Sequence, residues 1–243
     1  MAQLQRLVIA PSQLQPGKII LTAQQQHYLG HVLRLRGGDR FVAMNGLGQL
    51  WLAQLEGAQA QILEPIQIES ELPVPVTLMA ALPKGNGFDE VVRYCTELGV
   101  ACIAPVLSDR TLPLPSPQKL ERWRRIAQEA AEQSERQLVP NILAPVPFRA
   151  GLTVGQQSHR YICVARGSYP DLLSCLRVSI PTDMIITTGP EGGWTAVEVE
   201  EAIAAGFQPV SLGRRILRAV TAPIVALSIV AAALETVTER ITR

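Results

Sequence analysis

Apolar positions alternate with polar ones in the first third of the chain, and gather into unbroken runs or helical stripes beyond it. Gln49–Leu55 and Ala60–Ile68 alternate and are bounded by Gly37-Gly38, Gly46, Gly48 and Gly57. Short strands with frequent turns predict a small β domain. One helical piece, Ala23–Leu33, interrupts it, with Thr22 as the N-cap. At Glu71-Leu72-Pro73-Val74-Pro75 two prolines within three residues make a stiff connector. The boundary there separates residues 1–72 from 73–243.

Past the connector, strands and helices take turns. Val76–Leu82, Ala101–Leu107, Tyr161–Ala165 and Met184–Thr188 are continuous apolar runs. Continuous strands belong to a sheet covered on both faces, so this part is α/β with a mainly parallel sheet. Between them, Phe88–Leu98 places Val91, Val92, Cys95 and Leu98 on one helical face. Ser116-Pro117 supplies an N-cap and an N1 proline for a helix running to about Gln137, with Leu120, Trp123, Ile126, Ala127 and Ala130 on one side. Val220–Leu234 is the longest apolar stretch, broken by Thr221, Pro223 and Ser228, and is shorter than the ~20 residues a bilayer needs. It reads as a buried helix.

Composition narrows the class. The 243 residues are 47% hydrophobic and carry a formal net charge of +1, which excludes a disordered chain and a strongly basic or acidic tail. Only Lys18, Lys84 and Lys119 are lysines; the other nineteen basic residues are arginines, whose planar fork suits phosphate and bases. Cys95, Cys102, Cys163 and Cys175 have no CxxC spacing and sit in apolar neighbourhoods, as buried thiols of a reducing compartment do. The N-terminal MAQLQRLVIAPSQ has no apolar core of signal-peptide length. These features predict a cytoplasmic, soluble protein with no membrane segment.

Chemistry concentrates in two segments. In MIITTGPEGGWTAVEVEEAIAAG, Met184–Gly206, a buried strand runs into Gly189-Pro190-Glu191-Gly192-Gly193. A helix follows, opened by the capping box of Thr195 and Glu198, and Gly206 suits its C′ position. Open α/β sheets bind ligands at the carboxyl ends of their strands, and glycines let a ligand approach the backbone. The same five residues also describe a plain tight turn. They match neither a P-loop nor a GxGxxG fingerprint. In Pro209-Val210-Ser211-Leu212-Gly213-Arg214-Arg215-Ile216-Leu217-Arg218, a short strand and a glycine turn lead to three arginines with no acid nearby. Such a cluster is either a solvated face or the seat of an anionic partner such as RNA phosphate.

GPEGGWTAVEVE and AGFQPVSLGRRILR, with TELGV at Thr96–Val100 and EAAEQSERQLVP at Glu129–Pro140, resemble the RsmE-type 16S rRNA uridine-N3 methyltransferases of the SPOUT superfamily. HYLGHVLRLRGGDRF, His27–Phe41, is similar to that family's small PUA-like RNA-binding β-barrel. The resemblance runs through nearly the whole chain. It implies a PUA-like domain over 1–72 and a SPOUT-like α/β domain with a trefoil knot over 73–243, working as a homodimer on the small ribosomal subunit. It also implies S-adenosyl-L-methionine as cofactor, held by Thr188, Gly189, Pro190, Glu191, Gly192, Gly193, Leu212, Gly213, Ile216, Leu217 and Arg218, with Ala165 contributing. The family's Thr-Glu-Thr-Ala after the last arginine is here Ala219-Val220-Thr221-Ala222, so valine replaces the acid. The lysine usual in the helix before TELG is absent; Arg93 and Tyr94 occupy that region.

Methylating N3 of uracil removes its proton and leaves negative charge on the ring and its two carbonyl oxygens. A cationic, water-poor pocket stabilises that charge. Arg136 or Arg218 is the expected cation, and Glu191 the nearest carboxylate, acting on the proton or bracing its loop. RNA docking is expected at Arg6, Arg34, Arg36 and Arg40 of the first domain and at Lys84, Arg214 and Arg215 of the second. In the first domain the cations cluster before residue 41 and the acids mostly after 55, which gives one basic face. His27 and His31 lie four apart without a third ligand, so packing or RNA contact is expected rather than a metal. Two rival readings stay open: methylation of another nucleotide, and a non-catalytic rRNA-binding assembly factor.

Overall fold

Burial along the chain follows two rhythms that belong to different units. The computed structural model describes residues 4–111, 114–153, 159–178 and 182–241. One unit is Met1–Glu71 with Ala131–Val139; the other is Leu72–Ala130 with Pro140–Arg243.

In the first unit the elements are β1 (Arg6–Val8), β2 (Leu14–Gln15), β3 (Lys18–Ile20), α1 (Ala23–His27), β4 (Arg40–Met44), β5 (Leu50–Glu56) and β6 (Gln59–Ile66). They form one six-stranded sheet in the order β1-β4-β5-β6-β3-β2, antiparallel except for β1 on β4. Alternate residues of the strands, Leu7, Ile19, Phe41, Ala53 and Ala60 among them, bury together with Leu29. Thr22 opens α1 as expected: its Oγ1 accepts from the Gln25 amide at 3.2 Å, and Gln25 Oε1 accepts from the Thr22 amide at 2.9 Å. The expected helix of Ala23–Leu33 is only partly α-helical, because Tyr28–Val32 continues it as a π-helical turn.

Ala131–Val139 joins this unit through specific polar contacts. Glu132 Oε1 accepts from the Val8 amide at 2.7 Å, and the Val139 amide donates to the Gly46 carbonyl at 2.9 Å. The Gly48 amide donates to the Gln137 carbonyl at 3.2 Å. The long helix therefore ends earlier than its polarity pattern suggests, at Gln133 rather than about Gln137. Glu135 takes a φ of +59°, which breaks the helix and turns the chain into these contacts.

The second unit contains β7 (Val76–Ala81), α2 (Gly87–Glu97), β8 (Cys102–Leu107), α3 (Pro117–Gln133), β9 (Asn141–Ile142), β10 (Val146–Pro147) and α4 (Phe148–Gly151). It continues with β11 (His159–Cys163), α5 (Leu172–Val178), β12 (Met184–Thr188), α6 (Ala196–Ala204), β13 (Gln208–Val210) and α7 (Thr221–Ile241). The sheet is parallel throughout, in the order β10-β8-β7-β12-β11-β13, with β9 also on β8. Along β7, Leu78 and Ala80 are as buried as Met79 and Ala81. Both faces are covered, which is why the apolar runs do not alternate. Met79, Ala104, Ile162 and Ile185 pack with Phe148 of α4 and Ala202 of α6, while α7 lies against α2, α5 and β12.

Candidate active site

Four strand ends of the second unit converge on one cavity of about 710 Å³. The chain after β11 supplies Val164, Ala165 and Arg166; the chain after β12 supplies Gly189–Thr195; the chain after β13 supplies Leu212, Gly213, Arg215, Ile216 and Leu217; and Arg110 comes from the turn after β8. All lie at carboxyl ends of parallel strands, where the order of strands in the sheet departs from their order in the chain.

Local chemistry shapes each wall. Pro190 to Gly193 is a turn closed by the Gly193 amide on the Pro190 carbonyl at 2.9 Å, with Gly193 at φ +68°. A Cβ on Gly189 would stand 3.2 Å from the indole of Trp194 and crowd it, and one on Gly192 would stand 2.9 Å from Arg110 Cδ and displace that side chain. Trp194 packs on Phe148 with ring centroids 4.4 Å apart, and its buried Nε1 has no partner among the described residues. On the third wall, Ser211 Oγ accepts from the Gly213 amide at 3.1 Å and donates to the Gly213 carbonyl at 3.2 Å, holding Gly213 at φ +111°.

A carboxylate fastens these walls from behind. Glu198 is 2% exposed; its Oε2 accepts from the Thr195 amide at 2.7 Å, and its Oε1 accepts from the Asp109 amide at 2.9 Å. The expected capping box thus also grips the turn after β8. In that turn the Arg110 guanidinium donates to the Gly192 carbonyl. Glu191 Oε1 accepts from the Lys84 amide at 2.9 Å, so one oxygen of this carboxylate braces the chain after β7 while the group stays exposed at the cavity.

Cys163 lies at the cavity wall, and burial pushes its thiol up to about 12. It is a neutral thiol at physiological pH, not a nucleophile. Arg110, Arg166 and Arg215 bring positive charge to the rim, against Glu191 and Glu200. A bare-backbone cradle with an apolar ring and a cationic rim can hold a nucleoside-sized ligand and stabilise negative charge beside it. The residues present therefore fit S-adenosylmethionine.

Of the residues expected to hold the cofactor, Ala165, Gly189–Gly193, Leu212, Gly213, Ile216 and Leu217 line this cavity; Thr188 and Arg218 do not. Thr188 is buried as the last residue of β12. The Arg218 carbonyl accepts from the Thr221 and Ala222 amides at 2.9 Å and so starts α7, while its side chain is exposed. Val220, in place of the family's acid, is also not among the lining residues; its Cγ2 stands 2.8 Å from where a Gly87 Cβ would be.

Arg136 requires a correction. It belongs to the first unit, is 2% exposed, and its guanidinium donates to Glu71 Oε2, so it is not at the cavity. Arg6 requires another: its side chain is 9% exposed and donates to the Glu135 carboxylate and carbonyl, both at 2.8 Å, so it is not a free docking cation. Arg34, Arg36 and Arg40 are exposed in the first unit, and Lys84, Arg214 and Arg215 are exposed in the second, where Arg215 also lines the cavity. The His27 and His31 rings stack with centroids 4.7 Å apart. Among the described residues no cluster of three or more metal-ligating side chains occurs, and no helix is long and apolar enough to cross a membrane.

Sequence reasoning passed over Arg110, Arg166, Tyr169 and Trp194 as lining residues. Trp194 was within reach, because it directly follows the glycine turn. Arg110 carried a weaker signal, Ser108 and Thr111 flanking it at turn spacing just after an apolar strand, where their hydroxyls now meet at 2.8 Å.

Comparison with known proteins agrees with this geometry. Residues 70–231 match an RNA methyltransferase domain, and residues 21–64 match an RNA methyltransferase PUA domain. The chain is 51% identical over 236 residues to ribosomal RNA small subunit methyltransferase E of Synechocystis sp., covering 95% of this chain and 78% of that one. It is 30% identical over 223 residues to the protein of that name in Bacillus subtilis, covering 86% and 87%. Among solved structures, ribosomal RNA small subunit methyltransferase E from Neisseria gonorrhoeae bound to S-adenosyl methionine superposes with a TM-score of 0.86 at 31% identity, over 95% of this chain and 98% of that one.

Proposed function

The chain belongs to the ribosomal RNA small subunit methyltransferase E family and is an S-adenosylmethionine-dependent RNA methyltransferase, and from that premise we propose that it methylates N3 of a uridine in 16S ribosomal RNA. The observation that carries this reading is the cavity at the strand ends, where two glycine turns leave the backbone bare beneath a cationic rim. Bound S-adenosylmethionine supplies an electrophilic methyl group. The turn Gly189–Gly193 and the lining residues Leu212, Gly213, Ile216 and Leu217 would hold and orient it, so that much of the acceleration is positional. The uracil N3–H bond gives up its proton and the N3–carbon bond replaces the methyl group's bond to sulfur, which leaves as a neutral thioether. Glu191, with one oxygen committed to the Lys84 amide, offers the other to the departing proton. The charge growing on the uracil oxygens is offset by cations that line the cavity, Arg166 and Arg215; as permanent cations they cannot serve as the base.

In the same reading the second unit carries a trefoil knot, the active form is a homodimer, and the enzyme works in the cytoplasm where small ribosomal subunits are found. The order of matching motifs supports the knot and the dimer, and light scattering of the purified protein measures the latter. The test of the reaction is incubation with S-adenosylmethionine and small subunits lacking the modification, followed by nucleoside mass spectrometry. Appearance of 3-methyluridine is the expected result. Another methylated nucleoside would move the target, and no methylation by protein that binds the cofactor would overturn the reading.

A further inference from the structure

We propose that Arg110 is a substrate-positioning residue, which clamps the Gly192 carbonyl with one arm of its guanidinium and takes a phosphate oxygen of the RNA with the rest; this inference rests on the function proposed above. Three arginines reach the cavity rim from three different loops, but their restraint differs. Arg166 and Arg215 have no hydrogen bond or ion pair of their side chains among the described residues. Arg110 is pinned at both ends. Its amide donates to Ser108 Oγ at 3.2 Å, and the neighbouring Asp109 amide donates to the buried Glu198 at 2.9 Å. Its Nη1 is committed to Gly192, and the space beside its Cδ exists because position 192 has no side chain.

A guanidinium has five N–H donors, and Gly192 takes one. No carboxylate neutralises Arg110 among the described residues, although acids line the same cavity. An exposed side chain already ordered by its neighbours loses little entropy when it takes an anion. Arg110 is exposed and also lines the cavity, so its remaining donors are open to a ligand that enters from solvent. A rim cation of this kind meets the backbone of the entering nucleotide, and a fork of parallel N–H groups matches phosphate oxygens.

The test is the salt dependence of binding to small-subunit ribosomal RNA, measured by fluorescence titration without cofactor, for the wild-type protein, Arg110→Met and Arg110→Lys. Folding of each variant is checked by thermal unfolding. Arg110→Met is expected to weaken binding roughly tenfold at low salt and to reduce the slope of log K against log salt by about 1. Arg110→Lys keeps the charge and is expected to restore most of that slope. An unchanged slope in Arg110→Met overturns the proposal. If that variant then binds S-adenosylmethionine more weakly, by calorimetry, Arg110 is a brace of the glycine turn alone. Wild-type protein that fails to bind or methylate the RNA removes the underlying function, an outcome separate from a wild-type protein that binds with a slope insensitive to residue 110.

Discussion

The Arg136 guanidinium donates through Nε to Glu71 Oε2 at 3.0 Å across 65 residues of sequence, and the other Glu71 oxygen accepts from the Gln137 and Leu138 amides at 2.9 and 3.1 Å. One carboxylate thus ties the end of the first unit's N-terminal stretch to Ala131–Val139 within that unit. Removing the buried Arg136 leaves the Glu71 carboxylate without its cation, held by the two amides alone. Arg136→Ala is expected to cost about 3 kcal/mol in urea unfolding. Its cavity-lining residues are untouched, so calorimetry should find S-adenosylmethionine affinity within a few-fold of wild type while the protein stays folded. A stable variant that has lost cofactor binding would return Arg136 to the site.

The contrast between Arg6 and its neighbours gives a second test. Arg36 and Arg40 are exposed, whereas Arg6 is committed to Glu135. Arg36→Ala combined with Arg40→Ala should lower the salt slope of RNA binding by about 1 to 2, with little change in the unfolding midpoint. Arg6→Met should do the reverse, destabilising the fold and leaving the slope in place. Equal slopes for all three proteins would remove the basic face of the first unit from the RNA interface.

What the sequence made legible was local. The strand Met184–Thr188, the box of Thr195 and Glu198 and the glycine turn between them lie within 15 residues, and period, cap and turn chemistry all act over that range. The parallel pairing of β1 with β4 depends on three residues finding a strand more than thirty positions away, and no period announces it. Arg136 and Arg6 failed for a related reason. A charge in sequence looks alike whether it meets solvent or a distant acid, and Glu71 and Glu135 claim these two only once the chain has folded. Arg110 was missed from the opposite side, because a single arginine after a strand has no pattern until Glu198 and Gly192 are seen beside it.

Buried thiols give the protein an alkaline limit. Burial pushes Cys163 up to about 12 and Cys102 up to about 11, from an ordinary 9.0. With the folded pKa above the unfolded one, the native state holds more protons between those values. The associated stability is complete below pH 9 and is lost as pH rises toward 11 and 12. Each such thiol contributes a slope of at most about 1.4 kcal/mol per pH unit in that window. Urea unfolding across pH 8–11 should therefore show a decline that is shallower in Cys163→Ala, measured relative to that variant's own value at pH 8. Identical slopes would mean that the Cys163 thiol titrates in the native state as it does in the unfolded chain, which labelling by a thiol reagent followed across pH 8–10 would reveal independently.

Glu198 joins stability to the RNA site, and the two effects can be separated. Glu198→Ala leaves the Thr195 and Asp109 amides without their acceptor, at a cost of about 3 kcal/mol, and Glu198→Gln, which keeps one acceptor oxygen, should cost about half as much. The Asp109 amide also anchors the turn that carries Arg110, so releasing it should loosen the guanidinium and weaken RNA binding without removing the arginine's charge from the rim. The expected signature is non-additivity. If Glu198 acts on RNA through Arg110, then Arg110→Met in the Glu198→Gln background should weaken RNA binding by less than it does in wild type, and the cycle should give a coupling of about 1 kcal/mol. Cofactor affinity, measured on the same four proteins, shows whether the glycine turn moved as well. Strictly additive losses would mean that Glu198 supports the fold while Arg110 meets the RNA unaided, and the buried carboxylate would then be a helix cap and no more.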